Sequence, residues 1–111
     1  MVGRLKFPRF QWLGMVDING LRKILAAHKL ELRQRFKVKD IGIFGSFVRG
    51  EQRKTSDVDV LVEFEEPIGL FEFIALEDHL SSLLGVKVDL VSRKALKPHI
   101  GKRVLKEVVY A

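Results

Sequence analysis

The chain has no cysteine, one tryptophan, one tyrosine and three prolines in 111 residues. Without cysteine there is no disulfide, no thiolate nucleophile and no Cys-rich zinc site. No apolar run reaches the roughly 18 residues that would cross a bilayer, so a membrane is not an expected partner. The first 14 residues are basic and aromatic, but lack the apolar core and small-residue cleavage site of a signal peptide. A reducing, cytoplasmic setting fits these absences. Aromatics do not interleave with the basic residues after position 12, which leaves no stacking platform for single strands. Nucleic acid is therefore not the expected ligand.

What remains is ordinary for one folded domain: 47% hydrophobic and 31% charged residues. The net charge of +6 is unevenly placed. Residues 1–40 carry ten Lys/Arg against three Asp/Glu, residues 41–91 four against ten, and residues 92–111 six against one. Basic flanks around an acidic centre suit a polyanion such as a nucleoside triphosphate; solvated helix faces account equally for most of the individual charges. Residues 1–14 read as a loosely attached extension, with Met15 as a second possible start and residues 15–111 as the domain.

Periodicity orders that domain. Ile18 to Phe36 has the apolar spacing of an amphipathic helix, with Asp17 or Asn19 as its cap. Val38–Phe44 and Asp57–Phe64 read as strands, separated by a short helical turn at Ser46–Gly50 and a polar loop. Leu70–Leu84 reads as a helix stopped by Gly85. Val86–Val91 is a third strand, and a final helix runs from Pro98 to about Val109. The expected class is α/β (α+β), with a small mixed sheet of three to four strands and helices packed on one side. Phe44, Phe47, Phe64, Phe71 and Phe73 are expected in the core, and Tyr110 is expected to be packed. So small a sheet, and a final helix with an apolar edge, point to a homodimer or a heteromeric mate.

The chemistry concentrates in Gly45 to Asp59, G-S-F-V-R-G-E-Q-R-K-T-S-D-V-D. Gly45 and Ser46, between a strand and a helical turn, can hold a phosphate on backbone N–H groups and a hydroxyl, or form an ordinary cap. Asp57 and Asp59 share one strand face, because side chains alternate with period two. They repel each other unless a cation lies between them; alternatively they cap turn N–H groups. Asp89, in V-K-V-D-L-V, joins them if its strand lies beside theirs, or faces solvent on an edge strand. It could hold a second metal or act as general base. Arg49, one helical turn from Ser46, reaches a phosphate or pairs with Glu51. His28, His79 and His99 lack ligand spacing.

Gly-Ser, ten residues, Asp-x-Asp, then a third strand carrying Asp resembles the signature of the DNA polymerase β nucleotidyltransferase superfamily. G-S-F-V-R-G-E, S-D-V-D-V-L-V-E-F, V-D-L-V and the terminal V-V-Y-A are similar to the stand-alone minimal nucleotidyltransferase (MNT) family, over residues 17 to 111. That resemblance implies a polymerase β-like fold, with triphosphate on Gly45 and Ser46 and Mg2+ on Asp57, Asp59 and Asp89. It also implies transfer of AMP from ATP to a tyrosine of a HEPN-type toxin, with the chain acting as antitoxin. A non-catalytic antitoxin, a small-molecule nucleotidyltransferase of the antibiotic-modifying kind and a nucleic-acid end-extending enzyme are the alternatives. An intact carboxylate triad weighs against the first, and the absence of a second domain against the other two.

Overall fold

The computed structural model of the protein describes residues 17–51 and 57–111. The proposed extension, residues 1–14, lies outside the described residues. Helix α1 (Ile18–Ala27) starts where Asp17 Oδ1 accepts the Gly20 N–H at 3.0 Å, as an N-cap aspartate does. The single helix expected over Ile18–Phe36 is two, with α2 (Lys29–Phe36) following a break at His28. The cause is local. The His28 ring Nδ1 lies 2.8 Å from the Ile24 carbonyl, and the His28 backbone N–H bonds Leu25 instead. A side chain has thus taken the carbonyl that the helical ladder needs. Both pieces keep one apolar face, burying Leu21, Leu25, Leu32 and Phe36.

Strand β1 (Val38–Phe44) follows, then a one-turn helix α3 (Ser46–Arg49) and strand β2 (Val58–Phe64). Helix α4 (Leu70–Leu84) ends at Gly85, whose φ of 71° terminates it in the left-handed region. Strand β3 (Val88–Ser92) leads through a 3-10 turn at Arg93–Ala95 to helix α5 (Pro98–Glu107), with proline in its first turn. A short strand β4 (Val109–Tyr110) closes the chain. The sheet order is β3-β2-β1-β4, with β2 and β3 parallel and the other pairs antiparallel. The mixed four-stranded sheet agrees with the expected class.

Alternation places Val58, Val60 and Val62 of β2 in the main core, beside Ile41 and Ile43 of β1. Val38 belongs to the same cluster despite its odd spacing, because a register irregularity between Val38 and Asp40 shifts the pleat. Leu76, Leu80 and Leu84 of α4 cover this face. Leu61 points the other way and is also buried, outside that cluster. Cover on one side alone is therefore an incomplete description at the sheet's centre.

Four further expectations are corrected. The third strand begins at Val88 rather than Val86 and extends to Ser92. The last helix stops at Glu107, because Val108 turns extended and β4 pairs with β1 across Gly42 and Ile43. A side chain at Gly42 would collide with Val108 and the Val109 carbonyl, so glycine admits this strand. Phe71 is 86% exposed, with Leu70 and Ile74 beside it on the outer face of α4. Tyr110 is held through its backbone and leaves its ring half exposed.

This packing predicts a contrast within one helix. Leu80→Ala, deleting a fully buried side chain, should cost about 2–5 kcal/mol in urea unfolding. Phe71→Ala should change stability by no more than about 0.5 kcal/mol.

Candidate active site

The sheet brings three distant carboxylates to one end. Asp57 immediately precedes β2, and Asp59 is its second residue. In the parallel β2–β3 ladder Asp59 is opposite Asp89, and in the antiparallel β1–β2 ladder it is opposite Phe44. The ends of β1 and the starts of β2 and β3 therefore coincide, and the Gly45–Ser46 turn lies over Asp59. The three sequence-selected aspartates and the Gly-Ser turn are one constellation.

Gly45 and Asp59 fix each other. Gly45 has φ 82° and ψ −149°, a combination open essentially to glycine alone. A Cβ at position 45 would fall on the Asp59 carboxylate. The backbone thus approaches the carboxylate more closely than any side chain permits. Ser46 opens α3 directly after this turn, half-buried.

Asp89 is exposed, and β3 is an edge strand. Its position is nonetheless held from behind. Ser81 Oγ accepts the Val88 N–H at 3.0 Å, and Glu77 Oε2 accepts the Leu90 N–H at 2.9 Å. Two α4 side chains therefore cap the open edge on either side of Asp89. The solvent-facing reading of Asp89 is right about exposure, and the neighbour reading is right about register.

The electrostatics match the geometry. Partial burial, followed by the charges of Asp89 and Asp57, pushes the Asp59 carboxyl above its ordinary value, with Arg49 opposing. Such a cluster favours a proton or a cation. Among the described residues, no group of three His, Cys, Asp or Glu side chains is closed into a metal-ligating geometry. The donor set itself is all hard carboxylate oxygen, which suits Mg2+ rather than a softer ion. The residues fit such a cation by donor chemistry and by their mutual repulsion.

Arg49 makes the Glu51 pair that the sequence suggested, Nε to Oε1 at 2.9 Å, and a second bond, Nη1 to Glu107 Oε1 at 2.7 Å. Glu107 Oε2 also accepts the Gly45 N–H at 2.6 Å. That N–H is thus already used, as are those of Val48 and Arg49, which bond the Gly45 carbonyl, and an anion at the turn would rely on Ser46 and the Phe47 N–H. Sequence reasoning missed Glu107. The signal available was its status as the sole acidic residue among residues 92–111.

Residues 25–111 match the family described as Nucleotidyltransferase domain. This defines the class of enzyme: the chain is a nucleotidyltransferase. The chain is 54% identical over 98 residues to the protein adenylyltransferase MntA of Thermococcus cleftensis, covering 88% of this chain and 99% of that protein. A solved structure assigned as a minimal nucleotidyltransferase superposes with a TM-score of 0.72 at 40% identity, covering 86% of this chain and 96% of the other. A toxin–antitoxin crystal structure with AMP-PNP superposes with a TM-score of 0.65 at 25% identity, covering 86% and 72%. The chain belongs to the minimal nucleotidyltransferase family.

Two outcomes test the site. Asp59→Asn should raise the melting temperature of the metal-free protein at neutral pH. The raised carboxyl means that ionised Asp59 opposes folding, so this penalty appears as pH rises above about 4 and is absent below it. The gain from the substitution should vanish as pH falls below that value. Gly45→Ala should lower stability by at least about 1–3 kcal/mol, from the forbidden backbone region alone, and by calorimetry should melt earlier at every pH.

Proposed function

We propose that the chain is a Mg2+-dependent protein adenylyltransferase that moves AMP from ATP to a hydroxyl of a HEPN-type toxin and so acts as its antitoxin. The observation that carries this reading is the register placing Asp59 against Asp89 and beneath Gly45. Three strand-end carboxylates beside a Gly-Ser turn are what a metal-bound triphosphate requires. The similarity to an MntA adenylyltransferase, and to a toxin–antitoxin complex crystallised with AMP-PNP, supports the partner and the nucleotide. The cytoplasm is the compartment this pairing implies.

Asp57 and Asp59 would hold magnesium, with Asp89 completing the set; the ion supplies charge neutralisation to the triphosphate. Ser46 would bind the phosphate tail through its hydroxyl and N–H. Asp89, exposed and next to Asp59, would take the proton of the attacking hydroxyl. The hydroxyl oxygen bonds to the α-phosphorus, the bond from that phosphorus to the bridging oxygen breaks, and pyrophosphate leaves with the electron pair. A tyrosine is the acceptor we favour, as the resemblance to the minimal nucleotidyltransferase family implies.

Labelled ATP, magnesium and a HEPN-type toxin provide the test. Label should pass to the toxin, and Asp57→Ala or Asp59→Ala should reduce the rate at least about a hundredfold. Neutralisation of the toxin without covalent label would show a binding antitoxin instead.

A further inference from the structure

We infer that Glu107 is a positioning residue for the nucleotide, acting through the Gly45 turn and the Arg49 guanidinium. The inference rests on the proposed triphosphate position at the Gly45–Ser46 turn. A four-residue helix such as α3 cannot hold its own geometry, so the direction of Arg49 must be set from elsewhere. Glu107 sets it, from the last residue of α5.

One carboxylate does this with both oxygens. Oε2 accepts from the Gly45 N–H at 2.6 Å and Oε1 from Arg49 Nη1 at 2.7 Å. The first bond fills a gap in the sheet. β4 pairs with β1 only at Gly42 and Ile43, with Ala111 adding a bond to Ile41. Gly45 lies past the reach of that strand, and the Glu107 side chain supplies the acceptor that β4 does not. The second bond, with the Glu51 contact at Nε, anchors the guanidinium at two nitrogens. Nη2 is left uncommitted among the described residues and able to meet an anion.

Glu107 is only 16% exposed at its side chain. Burial raises its carboxyl, yet the bonds from Arg49 and Gly45 outweigh this and hold it below the ordinary glutamate value. The ionised form is therefore the one built into the turn. Gln at this position keeps the length but replaces one of the two acceptor oxygens by a donating NH2, which would face either the Gly45 N–H or the Arg49 guanidinium.

Binding of AMP-PNP with magnesium to the full chain, followed by calorimetry, tests this without a toxin. Glu107→Gln should weaken binding about tenfold, the loss expected for a charge-assisted hydrogen bond. Arg49→Ala should weaken it by a similar factor, and the double variant should bind no more weakly than Arg49→Ala alone. The Gly45 amide resonance should shift in Glu107→Gln, while the amides of β3 stay in place. Glu107→Asp keeps the charge and should lose less; if Glu107→Gln fails to fold, the Asp variant carries the same cycle.

Unchanged affinity in Glu107→Gln, or losses that add in the double variant, would overturn the inference alone. Tighter binding would overturn it too, by showing the carboxylate to compete with phosphate. Absence of AMP-PNP binding by the wild-type chain would overturn the nucleotide reading, and this inference with it.

Discussion

The close approach of the Gly45 backbone to the Asp59 carboxylate is the constraint from which the site follows. A carboxylate beneath a turn with no Cβ is possible only if the residue above it is glycine in a conformation that other residues avoid. That contact ties the end of β1 to the start of β2. The parallel ladder then ties β2 to β3 and sets Asp89 beside Asp59. Each strand is kept in register by burial of valine and isoleucine on one face, since a slip of one residue would turn every core side chain outward. The core therefore fixes these strand ends to within a residue, although none of the three aspartates belongs to it.

The carboxylate cluster conflicts with stability. Three carboxylates at one sheet end repel, and partial burial of Asp59 adds to the cost. A fold selected for stability alone would not retain them. Two α4 side chains cap the β3 edge, and Glu107 pins the turn from the far end of the chain while adding its own charge to those around Asp59. Arg49 has two carboxylate partners and tempers the negative field near Asp59.

Much of this was legible in the sequence, and what was not has identifiable reasons. The period-two run from Val58 to Phe64, the Gly85 stop and the proline at the start of α5 are local signals, and the structure keeps all three. The Gly-Ser turn and the three aspartates were found because their spacing carries chemistry. The break at His28 was not, because it depends on one ring nitrogen competing for one carbonyl. The exposure of Phe71 escaped because periodicity marks apolar positions without saying which face is covered. β4 and Glu107 escaped for a tertiary reason: two residues of strand and one carboxylate acquire meaning only when β1, more than sixty residues earlier, lies against them.

The central claim is that these strand ends form one metal–triphosphate site. A crystal structure of the chain with magnesium and AMP-PNP tests it most directly. Magnesium should lie on Asp57 and Asp59, with Asp89 within reach of the α-phosphate and the phosphate tail against Ser46. Nucleotide bound elsewhere, or magnesium that leaves Asp59 uncoordinated, would contradict it.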